Sequence, residues 1–224
     1  LLSVLMVISS PSWLGSWVAL EVNLMSFIPV ILSRGVITSV ESCIKYFLVQ
    51  AFSSLLLILA VLLSMSGGVS WEWIFNTPMS LLLIIALLIK LGAAPFHFWF
   101  PAVSAGTGWL QNFMLMTLQK IGPLILLNYV WGLSPTLLVL VGLSTYVGSV
   151  GGLNQSSLRK LLAYSSINHL GWLMVSSCFG LKFTMIYFMI YILSNMALVG
   201  GLHFGGFYYL SQVYYYSGSQ FNTL

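Results

Sequence analysis

A lysine in the middle of an otherwise apolar run is the first chemical signal in this sequence. Lys90 lies in Ser80-Leu-Leu-Leu-Ile-Ile-Ala-Leu-Leu-Ile-Lys90-Leu-Gly-Ala-Ala-Pro95-Phe-His-Phe-Trp-Phe-Pro101. Lys120 repeats the situation in Phe113-Met-Leu-Met-Thr-Leu-Gln-Lys120-Ile-Gly-Pro123. A lysine at the centre of a spanning helix costs about 2.5–3.5 kcal/mol on insertion scales, so such a group is turned inward, paired or set beside water. Glu21 is the acid placed in mid-segment, within Trp17-Val-Ala-Leu-Glu-Val-Asn-Leu-Met-Ser-Phe-Ile-Pro29. A buried acid and a buried lysine each favour the neutral form alone, and each stabilises the other's charge when paired. Glu21 and Lys90 are therefore expected to pair. The pair doubles as a switch, because an approaching charge opens it and alters how tightly the lysine holds its proton. Moving one charge across 100 mV costs about 2.3 kcal/mol. One unit of pKa is worth about 1.36 kcal/mol, so the two effects can be coupled. A static pair that only orients two helices is the alternative.

Histidine titrates near neutrality and can pass protons on. His97, after Pro95, and His169, in Ser165-Ser-Ile-Asn-His-Leu-Gly171, are candidate relays. A lone histidine in a helix bundle is more often a hydrogen-bonded packing residue, the reading His203 receives. Glu41 and Lys45, spaced i, i+4, read as an interfacial ion pair worth a few tenths of a kcal/mol. Glu72, in a Trp-flanked loop, reads as solvated. Cys43 and Cys178 have no metal or redox spacing and read as unpaired thiols. No His/Cys/Asp cluster has metal spacing, no glycine loop suits a nucleotide, and no Ser-His-acid set stands out.

The elements that position these groups follow from composition. The 224 residues are 59% hydrophobic and 4% charged, where a soluble protein carries roughly a quarter charged residues. Seven basic and three acidic side chains cannot build a soluble surface. The net charge of +4 is too dispersed for a nucleic-acid patch. Apolar runs near 20 residues suit helices crossing ~30 Å of hydrocarbon, not the short alternating strands of a membrane barrel. The fold class is an all-α integral membrane bundle. Eight segments are expected, at about 1–10, 13–32, 44–65, 79–99, 110–131, 135–153, 159–179 and 183–208, the first too short to span. Their short connections carry turn residues, as in Ser66-Gly-Gly, Asn76-Thr-Pro78 and Leu133-Ser-Pro135, so residues 1–224 form one transmembrane domain. With eight crossings, Arg34 and Arg159-Lys160 share one side, opposite Lys182 and Glu72. The positive-inside rule puts that side, and the N-terminus, in the cytoplasm or matrix. No cleaved presequence is visible.

Lys90-Leu-Gly-Ala-Ala-Pro95 and Lys120-Ile-Gly-Pro123 echo each other, each lysine followed by residues that break helical hydrogen bonding. Interrupted helices with a charge at the break recur in transporters. A simple proline kink is the alternative.

These stretches, with Leu20-Glu-Val-Asn-Leu-Met-Ser-Phe-Ile-Pro29, Lys45-Tyr-Phe-Leu-Val-Gln50 and Gly152-Leu-Asn-Gln-Ser-Ser-Leu-Arg-Lys-Leu-Leu-Ala-Tyr-Ser-Ser-Ile-Asn-His-Leu-Gly-Trp172, occur in one order. Together they closely resemble the antiporter-like family of proton-pumping membrane subunits of mitochondrial NADH:ubiquinone oxidoreductase, respiratory complex I. The resemblance implies two inverted five-helix repeats with a mid-membrane lysine/glutamate axis. It places a first repeat at about 1–131, part of a second at about 135–208, and a tail at 209–224. Carried over, Glu21 is the acidic partner, Lys90 the lysine of the first broken helix and Lys120 the central-axis lysine. His97 and His169 match the family's histidines. The chain itself is implied to bind no flavin, iron–sulfur cluster or nucleotide. Those groups and the quinone belong elsewhere in the complex. Implied partners are other membrane-arm subunits, accessory subunits and lipids such as cardiolipin, in the mitochondrial inner membrane. The family's third essential lysine has no counterpart after Lys182. A scaffold without its own pumping and a stand-alone cation/proton antiporter are the alternatives.

Overall fold

A computed structural model describes residues 2–33, 35–66, 78–130 and 135–221. Among them are eleven helices: α1 (Leu2–Ser9), α2 (Trp13–Leu32), α3 (Ile37–Ser66), α4 (Pro78–Leu91), α5 (Trp99–Gly106), α6 (Trp109–Met116), α7 (Leu118–Val130), α8 (Pro135–Leu153), α9 (Leu158–Cys178), α10 (Leu181–Gly205) and α11 (Leu210–Phe221). Arg34 and Glu72, two charges behind the expected orientation, lie outside the described residues. So do most of the turn residues at 67–77 and 131–134.

Four stretches are long and apolar enough to cross a membrane: Trp13–Leu32, Ile37–Leu63, Trp109–Val130 and Leu181–Gly205. The all-helical membrane character stands. Four of the eight expected segments reach that measure among the described residues. Outward faces are apolar, with Leu48, Phe52 and Leu55 exposed on α3 and Ile186, Met189 and Leu193 on α10. Only hydrocarbon or another protein suits such faces. The 30 residues of α3 make it ~45 Å long, more than ~30 Å of hydrocarbon.

The expected fourth segment, 79–99, is not continuous. Its helix stops at Leu91, because Gly92 takes a left-handed φ of 72°. The Gly92 N–H then reaches the Ile89 carbonyl (3.1 Å) and the Ala93 N–H the Leu88 carbonyl (3.1 Å), the pairing of a Schellman cap. The Trp99 indole donates to the Ile89 carbonyl as well (3.1 Å). Pro95 follows and the chain re-enters helix at Trp99. Gly92→Ala is expected to cost about 1–2 kcal/mol, since a Cβ is disfavoured in the left-handed region. A lowered midpoint of thermal unfolding measures it.

The fifth segment is also interrupted, but not where the Lys-Gly-Pro echo suggests. The break precedes Lys120, at Thr117 (φ −112°, ψ −74°), and α7 runs on through Gly122 and Pro123. A Cβ on Gly122 would stand 3.1 Å from the Leu20 side chain, so this glycine lets α7 approach α2. The stretch expected as a tail folds into α11. It is tied back through Leu158 N–H to the Tyr208 carbonyl (3.0 Å) and Leu210 N–H to the Ser156 carbonyl (3.1 Å).

Packing brings α7 against α1, α4 and α6, while α9 lies along α8 and touches α5, α6, α7 and α10. Two apolar clusters form the core. One gathers Leu20, Leu57, Leu87, Leu127, Leu170 and Tyr191. The other gathers Leu24, Phe27, Tyr46, Trp99, Phe100 and Ile167.

Candidate functional site

Both lysines are buried, Lys90 at 6% exposure and Lys120 at 2%. Lys90 occupies the last turn of α4, where the partial negative charge of the helix end favours an ammonium. Its backbone carbonyl accepts from the Gln50 amide on α3 (3.3 Å). A cavity of about 10 Å³ opens beside it, lined by Asn23, Tyr46, Gln50, Lys90, Gln119 and Pro123, among others. That is room for about one water.

The expected Glu21–Lys90 contact does not form. Among the described residues the one ion pair is Lys45 Nζ–Glu41 Oε1 (2.5 Å), at the solvent- or lipid-facing surface of α3. Glu21 lies half-buried on α2, and its Oε1 is buried with no hydrogen-bond partner. Among the described residues no hydrogen bond or ion pair links it to Lys90. The reason is placement: Lys90 ends α4, while the polar groups of α2 nearest the cavity are carried by Asn23, two residues on from Glu21.

Lys120 Nζ donates to the Ser166 carbonyl on α9 (3.3 Å) and to the Tyr191 hydroxyl on α10 (3.4 Å). It also lies 4.9 Å from the centroid of the Phe100 ring and 5.3 Å from that of Tyr191. These bonds are long for N–H···O contacts, and the partners are neutral. Phe100 belongs to one apolar cluster and Tyr191 to the other, so Lys120 sits at the seam between them.

His169 joins the same neighbourhood. Its Nδ1 is 3.0 Å from the Tyr187 hydroxyl, and its ring centroid is 5.2 Å from that of Tyr191. Ser166 and His169, at i and i+3, share one side of α9. Tyr187 and Tyr191, at i and i+4, share one side of α10. His97 stands apart. It lies in the link between α4 and α5, 7% exposed, with a buried Nδ1 that has no hydrogen-bond partner. Among the described residues nothing joins it to Lys90, Lys120 or His169. His203, at the end of α10, lines a separate apolar groove with Trp109 and Phe113.

Sequence reasoning alone does not find Tyr187, Tyr191, Gln119, Asn23 and Tyr46. Their signal is weak: two tyrosines one turn apart, and uncharged amides inside apolar runs. The arrangement can do one kind of chemistry. It holds two amines, a histidine and several hydroxyls in a buried interior, with long bonds to neutral partners around Lys120 that let a proton be gained or released.

The family described as NADH:quinone oxidoreductase/Mrp antiporter, TM, matches residues 10–209. The chain is 44% identical over 214 residues to NADH-ubiquinone oxidoreductase chain 2 of Anopheles gambiae, covering 94% of this chain and 62% of that relative. It is 39% identical over 216 residues to the same-named protein of Locusta migratoria, covering 96% and 62%. The fold superposes with a TM-score of 0.78 on a chain of respiratory complex I from Thermus thermophilus with bound aureothin. That chain is 26% identical, with 89% of this chain and 48% of that one covered. The chain thus spans about 62% of the length of these curated relatives.

Proposed function

Because the chain belongs to the NADH:quinone oxidoreductase/Mrp antiporter membrane family, we propose that it serves as a membrane-arm subunit of mitochondrial respiratory complex I. In this reading it translocates protons in step with NADH oxidation and ubiquinone reduction. Its crossings number about eight, the first five-helix repeat spans about residues 1–131, and its N-terminus faces the matrix. Redox chemistry stays with flavin, iron–sulfur clusters and quinone elsewhere in the complex. Other membrane-arm subunits, accessory subunits and lipids such as cardiolipin surround the chain.

The observation that carries this reading is Lys120, an amine buried on the seam of the core with neutral partners at 3.3 and 3.4 Å. A purely structural lysine gains by bonding a carboxylate at short range. A carrier must instead hold its proton weakly enough to give it up. Lys90, buried beside a water-sized cavity, is the second carrier. Glu21 modulates it, its buried Oε1 having no hydrogen-bond partner. His169 lies next to Lys120 and is the candidate relay beyond it. His97 lacks that connection and keeps only a candidate role at the break after α4.

The test is Lys90→Ala in the assembled complex, reconstituted in vesicles with NADH and ubiquinone. The expected result is normal assembly with fewer protons moved per electron and slower coupled NADH oxidation. A parental proton-to-electron ratio would sink the carrier reading and leave this chain a scaffold. Sodium-dependent proton exchange by the isolated chain would point to a stand-alone antiporter.

A further inference from the structure

Gln119 and Lys120 adjoin in sequence yet face different neighbours of α7, since successive helical residues project about 100° apart. Lys120 reaches α9 and α10. Gln119 reaches α2 and α3. Its Oε1 accepts from Asn23 Nδ2 on α2 (2.7 Å) and from the Tyr46 hydroxyl on α3 (3.2 Å). Asn23 Oδ1 in turn accepts from the Ser3 hydroxyl on α1 (3.1 Å). Gln119, Asn23 and Tyr46 are also walls of the cavity beside Lys90. Helix α7 therefore has the cavity beside Lys90 on one face and the Ser166 and Tyr191 partners of Lys120 on another.

An amide oxygen has two acceptor sites, and here two donors fill them. Such an oxygen cannot take up a proton or a water without losing a donor. The segment that carries it is loosened at both ends. The Lys120 N–H bonds the Thr117 carbonyl (3.1 Å), a tighter i→i−3 pattern of poorer geometry. Pro123 has no N–H to offer the Gln119 carbonyl.

We propose that Gln119, latched by Asn23 and Tyr46, is a gate that keeps the Lys90 cavity apart from the Lys120 amine. Its release lets water join the two lysines. This rests on the reading of both lysines as proton carriers. With the gate open, the Lys90 ammonium gives a proton to water, the water passes one on to the neutral Lys120 amine, and Lys90 is left as an amine. Gln119 gains and loses no proton in this step. It is a positioning residue.

Tyr46→Phe deletes one donor to the latch, and Gln119→Ala deletes the latch itself. Both are made in the assembled complex in vesicles, and passive proton leak without NADH is measured beside the NADH oxidation rate. Tyr46→Phe is expected to raise the leak about fivefold, the equivalent of about 1 kcal/mol at 1.4 kcal/mol per tenfold. Gln119→Ala raises it further. Adding Lys90→Ala removes the extra leak. A parental leak in both variants, or a leak indifferent to Lys90→Ala, overturns the gate. If Lys90→Ala alone lowers the proton-to-electron ratio while the latch variants stay tight, the gate fails and the carrier reading survives. If Lys90→Ala alone leaves that ratio unchanged, the carrier reading itself fails. Should Gln119→Ala not assemble, Tyr46→Phe decides, because its ring keeps its contacts with Phe27 and Trp99.

Discussion

Lys120→Met is expected to stop proton transfer through this chain while leaving the folded complex at least as stable as the parent. The two effects have one cause. Lys120 is 2% exposed, held by a backbone carbonyl and a tyrosine hydroxyl at long range. No carboxylate pairs with it among the described residues. Burying charge without a strong partner is costly. Methionine has a similar length, fills the same seam between Phe100 and Tyr191, and carries no charge. By analogy with buried ionic groups replaced by apolar ones, the change in stability is expected to lie between zero and a gain of about 1–4 kcal/mol. The proton-to-electron ratio falls at the same time. A structural lysine predicts the opposite pairing, with stability lost and the ratio kept. Thermal unfolding of the purified complex, measured beside proton counts in vesicles, separates the two.

Gly148→Val is expected to be strongly damaging. Helix α8 lies against α9 through glycines. A Cβ at Gly148 would stand 2.5 Å from the backbone nitrogen of Asn168 and 2.8 Å from its Cα. A backbone cannot swing aside as a side chain can, so the helices must part. Close helix contacts in membranes depend on such small residues. Asn168 adjoins His169, and Ser166, two residues earlier, supplies the carbonyl that holds Lys120. Separation of α8 and α9 therefore displaces the site as well as the packing. Overpacking alone costs about 1–3 kcal/mol, and the lost alignment adds to it. The measurement is the amount of assembled complex and its unfolding midpoint. Gly142→Val on the same helix is the control, since a Cβ there meets nothing within 4 Å. Equal damage from both would show that helix propensity, rather than the α8–α9 contact, sets the cost.

Much of the site is legible in the amino-acid sequence, for a physical reason. Hydrocarbon punishes charge so heavily that each lysine inside an apolar run marks itself. Lys90 and Lys120 need no tertiary information to stand out, and neither does Glu21. The cap after Lys90 is also readable, because Gly92 adopts the one backbone state its neighbours cannot share cheaply. At Lys120 the same pattern misleads. Pro123 sits inside a continuing helix, and the break falls at Thr117, which carries no breaker signal. At Thr117 the side-chain hydroxyl bonds back to the Phe113 carbonyl (2.7 Å), a local bond that bends helices and that any mid-helix threonine can make or omit.

Composition and the cost of burying charge are enough to make this chain a helical membrane bundle with two amines in its interior. The company those amines keep is a property of the packed fold. Packing leaves Glu21 without a bond to Lys90, and gives Lys120 Ser166 and Tyr191 as partners. It also turns Gln119 toward Asn23 and Tyr46 on another face of α7. Uncharged amides and hydroxyls cost far less to bury than a charge once they find hydrogen-bond partners, so nothing local marks them as it marks a lysine. Their role depends on which helices meet, and that is fixed only when the faces of α2, α3, α7, α9 and α10 pack together.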